Sequence, residues 1–165
     1  MTSSPAHPLI LCYDGSPHAR RAIDFAARMF HGGFALVLTV WQPTAGLGSL
    51  AWSGALETMD DYVAIDRSAA ENAGHIADEG VDIARRAGLD AKPLAIESTG
   101  PIWKTIVDTA DTHDGVMIVV GSRGHTTIAS ILLGSVSNAV VHHAEQPTLV
   151  VHGGRDDDAA SREAA

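Results

Sequence analysis

Five short apolar runs punctuate the chain: residues 8–13, 34–40, 91–96, 115–120 and 147–152. Each has the length of a buried strand. The stretches between them follow a helical rhythm. Ala19, Ala22, Ile23, Ala26, Ala27 and Phe30 recur at helical spacing, with Arg20, Arg21, Asp24 and Arg28 on the wet side. Ser16 and Pro17 predict the start of that helix, and His31-Gly32-Gly33 its end. A long helix is predicted from about Met59 to Ala87, striped by Ala69, Ala73, Ile76, Ala77, Gly80 and Ala84. Gly74 and Gly80 each weaken it by about 1 kcal/mol relative to alanine. Their lack of bulk predicts close approach of another backbone. Gly100-Pro101 opens a third helix with Ile102, Ile106, Val107 and Ala110 inward, and a last helix is predicted from about Ser135 to His143. Pro93 places the third strand near an edge or a strand start.

Strands alternating with helices predict a single α/β domain: a five-stranded, mainly parallel sheet with helices on both faces, Rossmann-like in arrangement. The folded part should run from 8 to 153, after a flexible N-terminus at 1–7 and before a disordered acidic tail at 154–165. Residues 41–57, rich in Gly, Ala, Ser and Pro, read as a long loop whose role stays open. On such sheets ligands bind beyond the carboxyl ends of the strands, at the point where the strand order reverses. Asp14, the Val40-Trp41 turn and the loop from Gly121 all follow strand ends. They would converge if strands one, two and four are neighbours.

Composition narrows the function. The chain has 165 residues, 45% of them hydrophobic, and a formal charge of −9. That charge argues against a general nucleic-acid binder. It does not exclude a nucleotide, because a few backbone N–H groups can hold phosphate inside an acidic protein. No apolar run approaches the roughly 20 residues of a membrane helix, and the first residues lack the pattern of a secretory signal. The single cysteine, Cys12, fits a reducing cytoplasm.

The strongest chemical signal is Gly121-Ser122-Arg123-Gly124, then nine residues, then Gly134-Ser135-Val136-Ser137. It lies where the fourth strand hands over to the last helix, so backbone N–H groups and a helix N-terminus point at one spot. Gly121 and Gly124 would allow positive φ and close approach to a ligand. The N–H groups of Gly134, Ser135 and Val136 would be unpaired at the helix start, and the hydroxyls of Ser135 and Ser137 can donate. Arg123 and His125 could add charge. Asp14 is suited to ribose hydroxyls or to Mg²⁺ beside phosphates, and Val40 could offer its N–H and C=O to an adenine edge. No Gly-Lys-Ser/Thr follows, so this is not a P-loop, and it is not a Gly-x-Gly-x-x-Gly fingerprint.

Together, Asp14-Gly15-Ser16, the ungapped Gly121–Ser135 spacing and the closing Gln146-Pro147-Thr148-Leu149-Val150-Val151 make the chain resemble the universal stress proteins, in their small, single-domain, ATP-binding subclass. The resemblance covers about residues 8 to 153 and implies an adenine nucleotide alpha hydrolase-like fold. It implies ATP binding, with Mg²⁺ as a companion, and a homodimer built through the last strand at residues 147–152. By position it implies that Cys12, Tyr13 and Asp14 border the nucleoside and that Val40 meets adenine. Gly121, Arg123, Gly124, Gly134, Ser135, Val136 and Ser137 would then hold ribose and phosphates.

Simpler roles stand beside these. The glycines could serve only the strand–helix turn, Asp14 only the cap of the first helix or the orientation of the turn, and Cys12 only the core. The nine histidines show no ligand pattern; His142 and His143 are adjacent and suit the last turn of a helix. No catalytic constellation is visible. Any ATP hydrolysis should therefore be slow. The expectation is a cytoplasmic, nucleotide-dependent stress-response protein. The alternatives are a slow ATPase or nucleotidyl enzyme, and an interaction module that binds another adenine nucleotide such as cyclic AMP.

Overall fold

The computed structural model describes residues 7–43, 59–122 and 133–152, with side chains of the long helix described from residue 63 onward. Residues 1–6 of the predicted N-terminal segment, the predicted tail at 154–165 and most of the 41–57 loop lie outside these residues. Among the described residues five strands alternate with four helices: β1 (Leu9–Cys12), α1 (Pro17–Met29), β2 (Phe34–Trp41), α2 (Met59–Arg86), β3 (Asp90–Glu97), α3 (Ile102–Thr112), β4 (Met117–Gly121), α4 (Ser135–His143) and β5 (Thr148–Val151).

The sheet order is β3-β2-β1-β4-β5, and every neighbouring pair is parallel. The chain steps outward from β1 to β2 and β3, then crosses back to lay β4 on the other side of β1. The order therefore reverses between β1 and β4, which brings strands one, two and four side by side.

Strand alternation sorts the core into two layers. Leu9, Leu11, Ala35, Val37 and Val119 face α1 and α2, meeting Ala22, Ile23, Ala26, Val81 and Ala84. Ile10, Leu36, Leu38, Ile118 and Val120 face α3 and α4, meeting Ile106, Ala110 and Val140. Small residues on α1 let that helix sit low on the sheet. Ser16 caps it as predicted, accepting the Ala19 N–H at 3.2 Å, with Pro17 at the first helical position.

The two sheet edges differ. On β3 the odd residues face outward, because the Asp90 and Ser98 N–H groups donate inward to the Gly33 and Trp41 carbonyls of the β2 side. Pro93 thus turns its missing N–H to the open edge, which explains how a proline fits the strand. The outward carbonyl of Ala91 is covered by Arg85, whose Nε and Nη2 donate to it at 3.1 and 2.8 Å. On β5 the odd carbonyls of Pro147 and Val151 accept from Ile118 and Ser122 of the β4 side. Thr148 and Val150 therefore turn their backbone groups outward.

The two long-helix glycines behave differently from the prediction. A Cβ at Gly74 would meet nothing within 4 Å among the described residues. One at Gly80 would fall 2.7 Å from both Tyr13 Cδ1 and Val37 Cγ1. The close approach is thus to side chains of the sheet rather than to another backbone, and only Gly80 makes it.

Candidate functional site at the strand switch

The β1/β4 boundary is framed by two turns. On one side β1 ends at Cys12 and the chain turns through Asp14-Gly15. Gly15 takes φ +83°, and Asp14 Oδ1 accepts the Ser16 N–H at 2.9 Å. This is an Asx turn, so one oxygen of Asp14 sets the entry to α1. The simpler role weighed for Asp14 is therefore present, and its carboxylate stands at the switch point as well.

On the other side β4 ends at Gly121. Here the positive φ expected from the sequence is absent: the positive-φ glycines among the described residues are Gly15, Gly32 and Gly88. The glycine is needed for contact instead. A Cβ at Gly121 would lie 2.8 Å from the His18 carbonyl carbon and 2.9 Å from the Ala19 nitrogen. The first turn of α1 rests directly on the end of β4. Arg123 and Gly124 lie outside the described residues, as does His125.

Ser122 joins three elements, a role no sequence pattern announced. Its N–H donates to the Val151 carbonyl at 2.8 Å, and its own carbonyl accepts the Gly134 N–H at 2.7 Å and the Ser137 hydroxyl at 3.1 Å. Gly134 is the N-cap of α4, with extended backbone and no side-chain cap. Two expectations change here. The Gly134 N–H is paired rather than open. The buried Ser137 hydroxyl also reaches the Gly134 carbonyl at 3.0 Å, so its proton is committed to anchoring the helix start. The Ser135 and Val136 N–H groups, in the first turn of α4, have no intrahelical acceptor by helix geometry. Ser135 is exposed, while Val136 packs against the α3/α4 core layer.

Val40 lies on the β1 side of β2. The Leu38 carbonyl accepts the Tyr13 N–H at 2.9 Å, and the Trp41 carbonyl accepts the Ser98 N–H at 2.8 Å on the opposite side. Alternation then turns the N–H and C=O of Val40 toward β1, two residues beyond the last ladder pair, Cys12↔Leu38. Its backbone donor–acceptor pair faces the space that β1 has left.

Tyr13 and Cys12 are placed differently from each other. Tyr13 continues the alternation of Leu9 and Leu11, so its ring is buried in the α1/α2 layer. The phenol donates to Glu79, and the Thr39 hydroxyl donates to the Tyr13 carbonyl at 2.9 Å. Cys12 faces the other layer and keeps a partly accessible surface. Burial pushes its thiol up to about 12, with the Asp14 charge acting in the same direction. That suppresses the thiolate and fits a packing role.

The neighbouring carboxyl ends of β4, β1 and β2 therefore carry a helix N-terminus, a carboxylate and a peptide edge turned toward β1. These are donors and acceptors for a sugar, phosphates and a heterocycle. Among the described residues no group of three or more His, Cys, Asp or Glu could hold a metal by itself. The Asp14 carboxylate suits a Mg²⁺ that arrives with phosphates.

Comparison with known proteins bears on the family and the fold. Residues 6–152 match the universal stress protein family. A universal stress protein of Thermus aquaticus is 30% identical over 146 residues, covering 87% of this chain and 96% of that one. The chain spans 47% of the length of a Mycobacterium tuberculosis universal stress protein to which it is 26% identical, and its match to one from Mycolicibacterium smegmatis covers 19% of that protein. Among solved structures, a universal stress protein from Archaeoglobus fulgidus superposes with a TM-score of 0.64 at 24% identity, over 88% of this chain and 98% of that one. A universal stress protein in complex with cAMP superposes at 0.59 and 25%, over 90% and 98%. Further structures of this fold hold dAMP, in the Archaeoglobus protein, and AMP, in an Arabidopsis thaliana family member. No helix among the described residues is long and apolar enough to cross a membrane. The match over nearly the whole folded chain, on this sheet order, shows that the protein belongs to the universal stress protein family.

Proposed function

We propose that the protein binds ATP at the β1/β4 switch and acts as a nucleotide-dependent regulator in the reducing cytoplasm. The observation that carries this reading is the side-by-side order of β4, β1 and β2, which sets the start of α4, the Asp14 turn and the β1-facing peptide edge of Val40 at one end of the sheet. In this reading Val40 pairs with the adenine edge and Asp14 with ribose hydroxyls or a phosphate-bound Mg²⁺. The phosphates meet the Ser135 and Val136 N–H groups and the Ser135 hydroxyl, where the helix dipole favours negative charge. Ser122, Gly134 and Ser137 hold that helix start in place, and Gly121 seats α1 on β4. Tyr13 supports the site from the layer below. Binding depends on backbone groups, which suits an acidic protein. Hydrolysis should be slow, because no nucleophile–base pair stands at the site among the described residues.

The cAMP complex of a relative favours a second reading, in which the same site takes a cyclic mononucleotide. Competition separates the two: ATP bound tightly and not displaced by a similar concentration of cAMP supports the first. For the assembly, we propose a homodimer through β5. Its outward Thr148 and Val150 groups leave a ladder edge, whereas the β3 edge is closed by Pro93 and Arg85.

Calorimetric titration of wild type and Asp14→Asn tests the site. Asparagine keeps an acceptor oxygen for the Ser16 N–H while removing the charge. ATP binding weakened about tenfold, or about 1.4 kcal/mol, supports a ligand role for Asp14. Undiminished binding would reduce Asp14 to a turn former.

A further inference from the structure

Glu79 lies on α2, where Glu71, Asp78 and Asp82 are exposed as it is. Its Oε1 accepts the Tyr13 phenol at 2.8 Å and also accepts from Arg20 of α1. The next residue, Gly80, rests against the Tyr13 ring, where a Cβ would come within 2.7 Å. One carboxylate therefore joins α1, α2 and the exit of β1, one residue before Asp14. The Arg20–Glu79 pair is about half exposed on both sides, at 49% and 47%. An ion pair so placed contributes little to stability. The phenol is different, because its side chain is 2% exposed and would be left without an acceptor. Removing Glu79 thus acts mainly on Tyr13. The backbone of Tyr13 is in turn bonded to Leu38 and Thr39 on the strand that carries Val40. Burial and the Glu79 bond push the phenol up to about 12, so it remains a neutral donor at ordinary pH.

We infer that Glu79 is a positioning residue for the nucleotide site: through the Tyr13 phenol it fixes the strand exit that carries Asp14, and it couples the seat of α2 to ligand binding. The inference rests on the nucleotide reading above. A seat that is coupled to binding responds to it, so ATP at the switch should alter the surroundings of the Tyr13 ring.

The chain has two tyrosines, Tyr13 and Tyr62. Protein labelled with ¹³C at the tyrosine Cζ, with Tyr62→Phe for assignment, reports Tyr13 alone. The Tyr13 resonance should shift on saturation with Mg²⁺–ATP. Glu79→Ala should abolish the shift and weaken ATP binding about fivefold, the lower range of typical coupling. Glu79→Gln, which retains an acceptor for the phenol, should restore most of both. Tyr13→Phe should match Glu79→Ala, and the double variant should add nothing further. An unmoved Tyr13 resonance in wild type that binds ATP, with Glu79→Ala binding equally well, would overturn the positioning role and leave the nucleotide reading standing. Wild type that fails to bind ATP would overturn both.

Discussion

Gly121 at the end of β4 lies against the His18 peptide of α1, so close that a Cβ would stand 2.8 Å from the His18 carbonyl carbon. Backbone cannot swing aside as a flexible side chain can. Gly121→Ala should therefore destabilise the fold by about 2–3 kcal/mol, the upper range for overpacking, read as a lower urea midpoint at unchanged m-value. It should also weaken nucleotide binding, because α1 and β4 carry the two sides of the site.

Gly74 and Gly80 offer a paired test on one helix. Gly74→Ala should stabilise by about 0.5–1 kcal/mol, since it gains helix propensity and meets no neighbour. Gly80→Ala gains the same propensity but pushes on Tyr13 and Val37, both buried. It should cost about 1–3 kcal/mol net. Thermal midpoints moving in opposite directions would bear this out; equal shifts would contradict the seat of α2 on Tyr13.

Ser135 and Ser137 divide binding from support. Ser137→Ala removes a buried hydroxyl that reaches both the Ser122 and Gly134 carbonyls. It should cost about 1–2 kcal/mol of stability. Ser135→Ala, at an exposed position, should leave stability within about 0.5 kcal/mol and lower ATP affinity. Urea titrations and calorimetry on the same two variants separate the roles.

Alkaline pH should loosen the fold. Cys12 and Tyr13 are both pushed up to about 12, from ordinary values of 9.0 and 10.0. Between these limits the folded protein holds protons that the unfolded chain has released, so stability falls as pH rises. The contribution is complete below about pH 9 and is lost toward pH 12. The thermal midpoint should drop between pH 9 and 11 more steeply in wild type than in Cys12→Ala. At pH 8 the thiol should react with iodoacetamide far more slowly than free cysteine.

Much of this architecture was legible in local pattern. Ser16-Pro17 marked the start of α1, the fourth strand expected at 115–120 forms at Met117–Gly121, and the last helix expected from about Ser135 to His143 forms there. Caps and apolar runs are local and leave a local trace. Sheet order is not local, so the meeting of strands one, two and four stayed conditional until their pairing was seen. Tyr13 had a readable signal, since it shares strand parity with Leu9 and Leu11, and parity turns it inward. Ser122 and Glu79 had none. Ser122 acts through its backbone carbonyl, and Glu79 is one of several exposed acids on α2. The glycine signature also misled about cause. Gly121 serves contact with α1 rather than positive φ, and the Gly134 N–H is occupied by Ser122.

The central claim is that the β1/β4 switch holds one adenine nucleotide per chain. Isothermal titration of the wild-type protein with Mg²⁺–ATP tests it most directly. The account predicts saturable binding at one ATP per chain, and the absence of binding heat together with an unchanged thermal midpoint at millimolar ATP would contradict it.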